Sequence, residues 1–187
     1  MKETILEAAK IIKAGGVILY PTDTVWGLGC DASESEAIQK IFDIKKRRQD
    51  KSLVLLAADL DMVTRYVREV PEMAIQLIEV NDAPMTIIYP ESMYIAPEAV
   101  GSDGSVGIRI PLNADCVDLC RKVGRPIVST SANFSGEPAP KSFADIPDEI
   151  KEAVDYIVDP ALEKGSTGKS SQVIKVGLDG KIEIIRA

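Results

Sequence analysis

The sequence predicts one α/β domain, a twisted mixed β-sheet flanked by helices, and three observations carry that prediction. Helical and strand periods alternate through the first two-thirds of the chain, whereas the last strands come as a pair around glycines. The length of 187 residues suits one domain of about 100–200 residues, large enough to bury roughly 70% of its unfolded surface. No apolar run approaches the ~18 residues of a membrane helix, and no repeat, low-complexity tract or linker divides residues 1–187.

Taken in order, Ile5, Leu6, Ala9 and Ile12 fall at helical spacing and Gly15-Gly16 stops the helix. Because this pattern begins directly after Met1, no secretory leader is expected. Val17-Ile18-Leu19-Tyr20 reads as a buried strand closed by Pro21. Ser33 and Glu36 form a capping-box signature for a helix through Ile44, whose basic end suits the negative pole of the helix dipole. Leu53-Val54-Leu55-Leu56 is the next strand; helices follow near residues 60–67 and 71–80, with Pro71 as a first-turn residue.

Residues 85–89 and 105–110 read as strands around a glycine-rich stretch at 101–104. Residues 115–123 read as a helix broken by Gly124-Arg125-Pro126, before a strand at 127–130. Three prolines and a glycine in 135–147 predict a loop or lid. A strand at 156–158 and a hairpin of 172–176 with 181–186 complete the chain.

Composition removes several chemistries. There is no histidine, so Ser-His-Asp and Cys-His catalysis and imidazole-ligated metals are out. The three cysteines, Cys30, Cys116 and Cys120, are too few for a zinc framework and read as buried thiols in a reduced, cytoplasmic protein. A net charge of −7 opposes bulk electrostatic binding of nucleic acid. Any anionic ligand must be met locally.

Four segments place polar groups at strand ends and turns, where open α/β sheets bind ligands. In Tyr20-Pro21-Thr22-Asp23-Thr24-Val25-Trp26-Gly27-Leu28-Gly29 two hydroxyls flank a carboxylate; the alternative is a crossing whose threonines satisfy local backbone. Lys45-Lys46-Arg47-Arg48-Gln49-Asp50-Lys51 is a local cationic patch of the kind a polyphosphate needs, or else a solvated helix end. Strand alternation puts Ser105, Gly107 and Arg109 on one face, where Arg109 meets either a ligand carboxylate or a structural partner. Ser129-Thr130-Ser131-Ala132-Asn133 gathers neutral donors after a strand, or forms a Ser/Thr turn. Gly165-Ser166-Thr167-Gly168-Lys169-Ser170 imitates the end of a P-loop, but Glu163 stands where the first glycine is required. It is not a Walker A site.

In this order the segments resemble the YrdC-like threonylcarbamoyl-AMP synthase family. Residues 21–29 resemble its P-T-[ED]-T-[VY]-[YFW]-G-L-G signature, and Lys45-x-Arg47 with Ser131-x-Asn133 its K-x-R…S-x-N tetrad. Val106-Gly107-Ile108-Arg109-Ile110-Pro111 is similar to its V-[AG]-[VI]-R-x-P strand, and Ser171-Gln172-Val173-Ile174 to its late S-x-[VI]-[VI] element. The likeness spans roughly residues 4–187.

The resemblance implies a single α/β domain with a large concave, positively charged cavity. It implies synthesis of L-threonylcarbamoyl-AMP from L-threonine, bicarbonate and ATP with Mg²⁺, pyrophosphate leaving. Partner proteins then pass the threonylcarbamoyl group to tRNA, with weak RNA binding a further possibility and no membrane association. Lys45, Arg47, Ser131 and Asn133 are the implied catalytic set. These four with Ser105, Ser129 and Arg186 are implied to bind ATP, and Thr24, Arg109 and Ser171 to bind threonine.

The chain departs from the family at Arg48, at Ser52 and at Asn81-Asp82-Ala83-Pro84, which bears on loop shape and cavity lining. It is expected to be the short form, with residues 135–147 as the only lid. The competing readings are an RNA-binding or ribosome-associated module, and a carbamoyl-adenylate domain of a carbamoyltransferase.

Overall fold

Short apolar strands that cannot bury both faces alone are stacked between amphipathic helices in the computed structural model, which describes residues 2–46 and 53–187. Among these, α1 (Glu3–Lys13), β1 (Ile18–Tyr20), β2 (Gly27–Gly29) and α2 (Ser35–Lys45) come first. β3 (Val54–Leu56), α3 (Leu60–Tyr66), α4 (Glu72–Val80), β4 (Met85–Tyr89) and β5 (Val106–Arg109) follow. The remainder is α5 (Ala114–Val123), β6 (Ile127–Val128), β7 (Thr130–Ser131), α6 (Asp148–Ala153), β8 (Tyr156–Ile157), β9 (Gln172–Val176) and β10 (Ile182–Arg186). No helix of the described residues is long and apolar enough to cross a membrane.

The strands form two sheets, ordered β7-β2-β1-β8 and β10-β9-β4-β5-β3-β6. The expected single strand at 127–130 is divided between them. Val128 pairs with Leu55 in the larger sheet and Thr130 with Leu28 in the smaller. Ser129 is the pivot, its N–H donating to the Val54 carbonyl at 2.8 Å. A strand switching sheets must bend, and β2 accepts this neighbour because glycines flank its leucine. A Cβ on Gly29 would stand 3.0 Å from the Val128 carbonyl.

α1 buries Ile5, Ala8, Ala9 and Ile12, and α5 buries Cys116, Leu119, Cys120 and Val123; the two helices lie against each other. The Ser33/Glu36 capping box does not form. Ser33 turns back instead, its N–H and Oγ both donating to Asp31 Oδ1, at 2.8 and 2.6 Å, and α2 starts at Ser35 behind Glu34. A local side-chain turn outcompetes the cap. The segment 135–147 also holds more order than a plain loop. A 3₁₀ turn, Phe143–Asp145, is closed by a Ser142/Asp145 capping box, Phe143 packs on Trp26 at 5.0 Å between centroids, and Ile146 is buried.

Candidate active site

The seam between the two sheets opens into a cavity of about 270 Å³. Its wall includes Thr24, Arg109, Ser129, Ser131, Ser171 and Arg186, six residues the sequence singles out from five separate segments.

The β1–β2 connection builds one side. Pro21 ends the strand, and Thr22 Oγ1 donates to the Val25 carbonyl at 2.8 Å while accepting from Thr24 N at 3.0 Å. A hydroxyl has one proton, so the 2.9 Å contact between the two threonine hydroxyls has Thr24 as donor. The lone pairs of Thr24 are thereby left for cations, and Arg109 Nη2 lies 3.4 Å away. Arg109 ends β5 between Leu56 of β3 and Thr86 of β4. It is only 3% exposed, and Asp23 pairs with its Nη1. Burial of the guanidinium is tolerable because that charge is compensated.

The opposite side comes from the strand switch and the C-terminal hairpin. Ser131 lines the cavity, but its carbonyl faces away and accepts from the Lys45 ammonium. Lys45 Nζ also donates to the Asn133 carbonyl at 2.7 Å. The Asn133 amide in turn donates to the Glu137 and Phe134 carbonyls at 2.7 and 3.1 Å. Lys45 and Asn133 are buried behind the wall, bracing the segment that carries Ser131. Ser171 shares a 2.8 Å hydrogen bond with Thr86, and Arg186 donates twice to the Ser171 carbonyl, at 3.0 and 2.7 Å.

One predicted site residue is not brought here. Ser105 stands at the other end of β5 from Arg109, outside the cavity lining, where its N–H and hydroxyl both donate to Asp103. Four residue steps of extended chain separate it from Arg109, roughly 13 Å. Arg47 and most of the 45–51 patch lie outside the described residues. None of residues 135–147 lines the cavity. Its rim is held by the segment imitating a P-loop, in which Ser166 Oγ and Gly168 N donate to the Thr24 carbonyl and Thr167 N to that of Asp23. That segment contributes Ser170 to the wall and has neither the strand nor the helix of a P-loop.

Sequence reasoning noted the Asp23 carboxylate between the two threonines but gave it no role, and it missed Thr86. A lone threonine in the apolar strand Met85–Tyr89 was the only signal for the latter.

Electrostatically the described residues of the lining include two guanidinium groups and several hydroxyls, and no carboxylate is among them, so the wall suits an anionic ligand. Thiolate chemistry has no support. Burial pushes the Cys116 thiol up to about 12 and raises Cys30 and Cys120 well above the ordinary thiol value. Among the described residues, no group of three or more His, Cys, Asp or Glu could hold a metal ion.

Comparisons with known proteins agree with this geometry. The family model Sua5_yciO_yrdC, described as telomere recombination, matches residues 10–187. A protein of Stenotrophomonas maltophilia (strain K279a) named threonylcarbamoyl-AMP synthase is 34% identical over 97% of this chain and 98% of its own. One of the same name from Idiomarina loihiensis is 31% identical over 82% and 84%. Among solved structures, P. abyssi Sua5 complexed with L-threonine superposes with a TM-score of 0.84 at 31% identity, covering 92% of this chain. The chain spans 50% of that protein's length.

Proposed function

Since the chain belongs to the Sua5/YciO/YrdC family, we propose that it makes L-threonylcarbamoyl-AMP from L-threonine, bicarbonate and ATP, releasing pyrophosphate. The observation that carries this reading is the buried Arg109 guanidinium in the cavity wall beside the Thr24 hydroxyl. A guanidinium fork is the natural partner of a carboxylate. That P. abyssi Sua5 takes L-threonine supports giving this place to the threonine carboxylate, with Thr24 and Ser171 taking its other polar groups.

The chemistry then needs positioning and charge neutralisation more than proton transfer. The threonine amine attacks bicarbonate, forming an N–C bond; the nitrogen's proton leaves with the departing hydroxide as water, and a carbamate remains. One carbamate oxygen attacks the α-phosphorus of ATP, the bond to the β-phosphate oxygen breaks, and pyrophosphate carries away the electron pair. Holding both reactants in one cavity supplies much of the barrier reduction, and guanidinium and hydroxyl donors stabilise the spreading phosphoryl charge. In this reading Arg186, Ser129 and Ser131 face the nucleotide, while Lys45 and Asn133 belong to the same wall. A chain without histidine is equipped for it.

Magnesium fits less directly. Among the described residues the lining offers no carboxylate and no acidic cluster forms, so these residues do not furnish a magnesium site, and no step here passes through the ion. Transfer of the group to tRNA by partner proteins is a separate step, outside the cavity's chemistry.

One assay tests the reading: pyrophosphate release from ATP and bicarbonate with Mg²⁺ and each amino acid in turn. Threonine-dependent release is expected, lost in Arg109→Ala and Lys45→Ala. Equal release with serine would refute the threonine pocket. Salt-sensitive tRNA binding without turnover would favour an RNA-binding module, and turnover on carbamoyl phosphate in place of threonine a carbamoyltransferase domain.

A further inference from the structure

We propose that Asp23 is a positioning residue for substrate recognition, holding Arg109 so that its Nη2 edge, with Thr24, is presented to the ligand's carboxylate. The inference rests on the reading that Arg109 receives that carboxylate. A free arginine side chain has several rotamers, and a bidentate contact needs one of them. Asp23 selects it by pairing with Nη1, which leaves Nη2 on the Thr24 side with only a 3.4 Å contact.

Asp23 is itself immobilised. Its second carboxylate oxygen accepts from Leu112 N at 3.0 Å, and its carbonyl accepts from Thr167 N at 3.0 Å. The residue thus ties together the β1–β2 connection, the segment after β5 and the rim of the cavity, and it is only 5% exposed. A carboxylate with both oxygens engaged cannot swing towards the ligand, so it orients the arginine without competing for the ligand's ammonium. Asparagine has the same shape but one acceptor fewer. Its NH₂ must face either Arg109 or Leu112 N–H, and each is a donor.

The experiment titrates L-threonine, its carboxylate-free analogue L-threoninol, and ATP into the wild-type protein, Asp23→Asn and Asp23→Glu, with melting curves alongside. Asp23→Asn is expected to weaken L-threonine binding about tenfold or more, the scale of a hydrogen bond to a charged group. ATP and L-threoninol should shift by less than about twofold on the same reasoning, because neither uses the Arg109 fork. Asp23→Glu should restore most of the threonine affinity.

Leu112→Pro removes the N–H donated to Asp23, at a side chain that is itself exposed, and supplies a second handle should the asparagine variant not fold. It is expected to weaken threonine and spare ATP. Equal losses for threonine, threoninol and ATP, or unchanged threonine binding, overturn the proposal alone. No threonine binding by the wild-type protein overturns the substrate reading and this proposal with it.

Discussion

The glycines of the Gly27-Leu28-Gly29 strand should fail in two different ways, and the distances say how. A methyl group on Gly29 would stand 2.7 Å from Tyr20 Cε1 and 3.0 Å from the Val128 carbonyl oxygen, with Tyr20 Cδ1 at 3.4 Å. Tyr20 is fully buried and Val128 is backbone of the neighbouring strand, so neither yields without moving the seam between the sheets. Overpacking of this kind costs about 1–3 kcal/mol. For a domain of this size that lowers the melting temperature by about 2–12 °C.

A methyl on Gly27 meets the Thr130 carbonyl at 3.3 Å, with Ser129 Oγ and Tyr20 Cε1 both at an ordinary 3.6 Å. A few tenths of an ångström relieve it, and about 1 kcal/mol or less is expected. Gly27, however, lines the cavity, so its methyl falls beside Ser129 and should raise the ATP KM. Melting curves and pyrophosphate-release kinetics on Gly29→Ala and Gly27→Ala make the comparison. A Gly29→Ala protein that melts with the wild type, or a Gly27→Ala protein that is the less stable of the two, would refute the packing argument.

Arg109→Met leaves buried Asp23 without its counter-charge, which costs about 3–5 kcal/mol; Arg109→Met with Asp23→Leu should recover much of the melting temperature without recovering threonine binding. At Asp155, burial raises the carboxyl pKa, but the hydrogen bonds from Lys40 and from Val17 N–H, with the Lys40 charge, outweigh it and hold it below the ordinary carboxylate value. A depressed folded pKa contributes stability above the unfolded value and loses it as pH falls through the folded one. The gap in melting temperature between wild type and Asp155→Asn should therefore be full above about pH 5 and close progressively below pH ~4; a gap independent of pH would contradict this. All three thiols are buried, so a thiol reagent at pH 8 should label none in the native protein and all three in denaturant. Fast labelling of Cys116 in the native state would contradict the packing of α5 under Pro21.

Local physics made much of this protein legible in advance. The helical period of residues 5–12 became α1, the apolar run at 85–89 became β4, and the glycine-linked pair near the end became the β9–β10 hairpin. The absence of histidine, with hydroxyls and arginines gathered at strand ends, already pointed to anion chemistry run by cations and hydrogen bonds. Where reading by period stopped short, a local competitor or a weak strand former was responsible. Asp31 took the hydroxyl expected to cap α2, and β2, two glycines around one leucine, carries almost no strand propensity.

Period, turn residues and side-chain chemistry act within a few residues, so most helices and strands, and the hydroxyls and arginines now found in the cavity wall, were readable from the chain alone. Which of those residues meet was left to long-range packing. Arg109 finds Asp23 across 86 positions, and Lys45 finds the Ser131 carbonyl across another 86. Ser105, on the same strand face as Arg109 by alternation, ends up at the far end of β5. The pivot at Ser129 depends on Leu55 and Leu28 offering edges in two different sheets. The physical reason is that strand pairing is a contest among distant partners, settled by the burial and backbone hydrogen bonding of the whole chain.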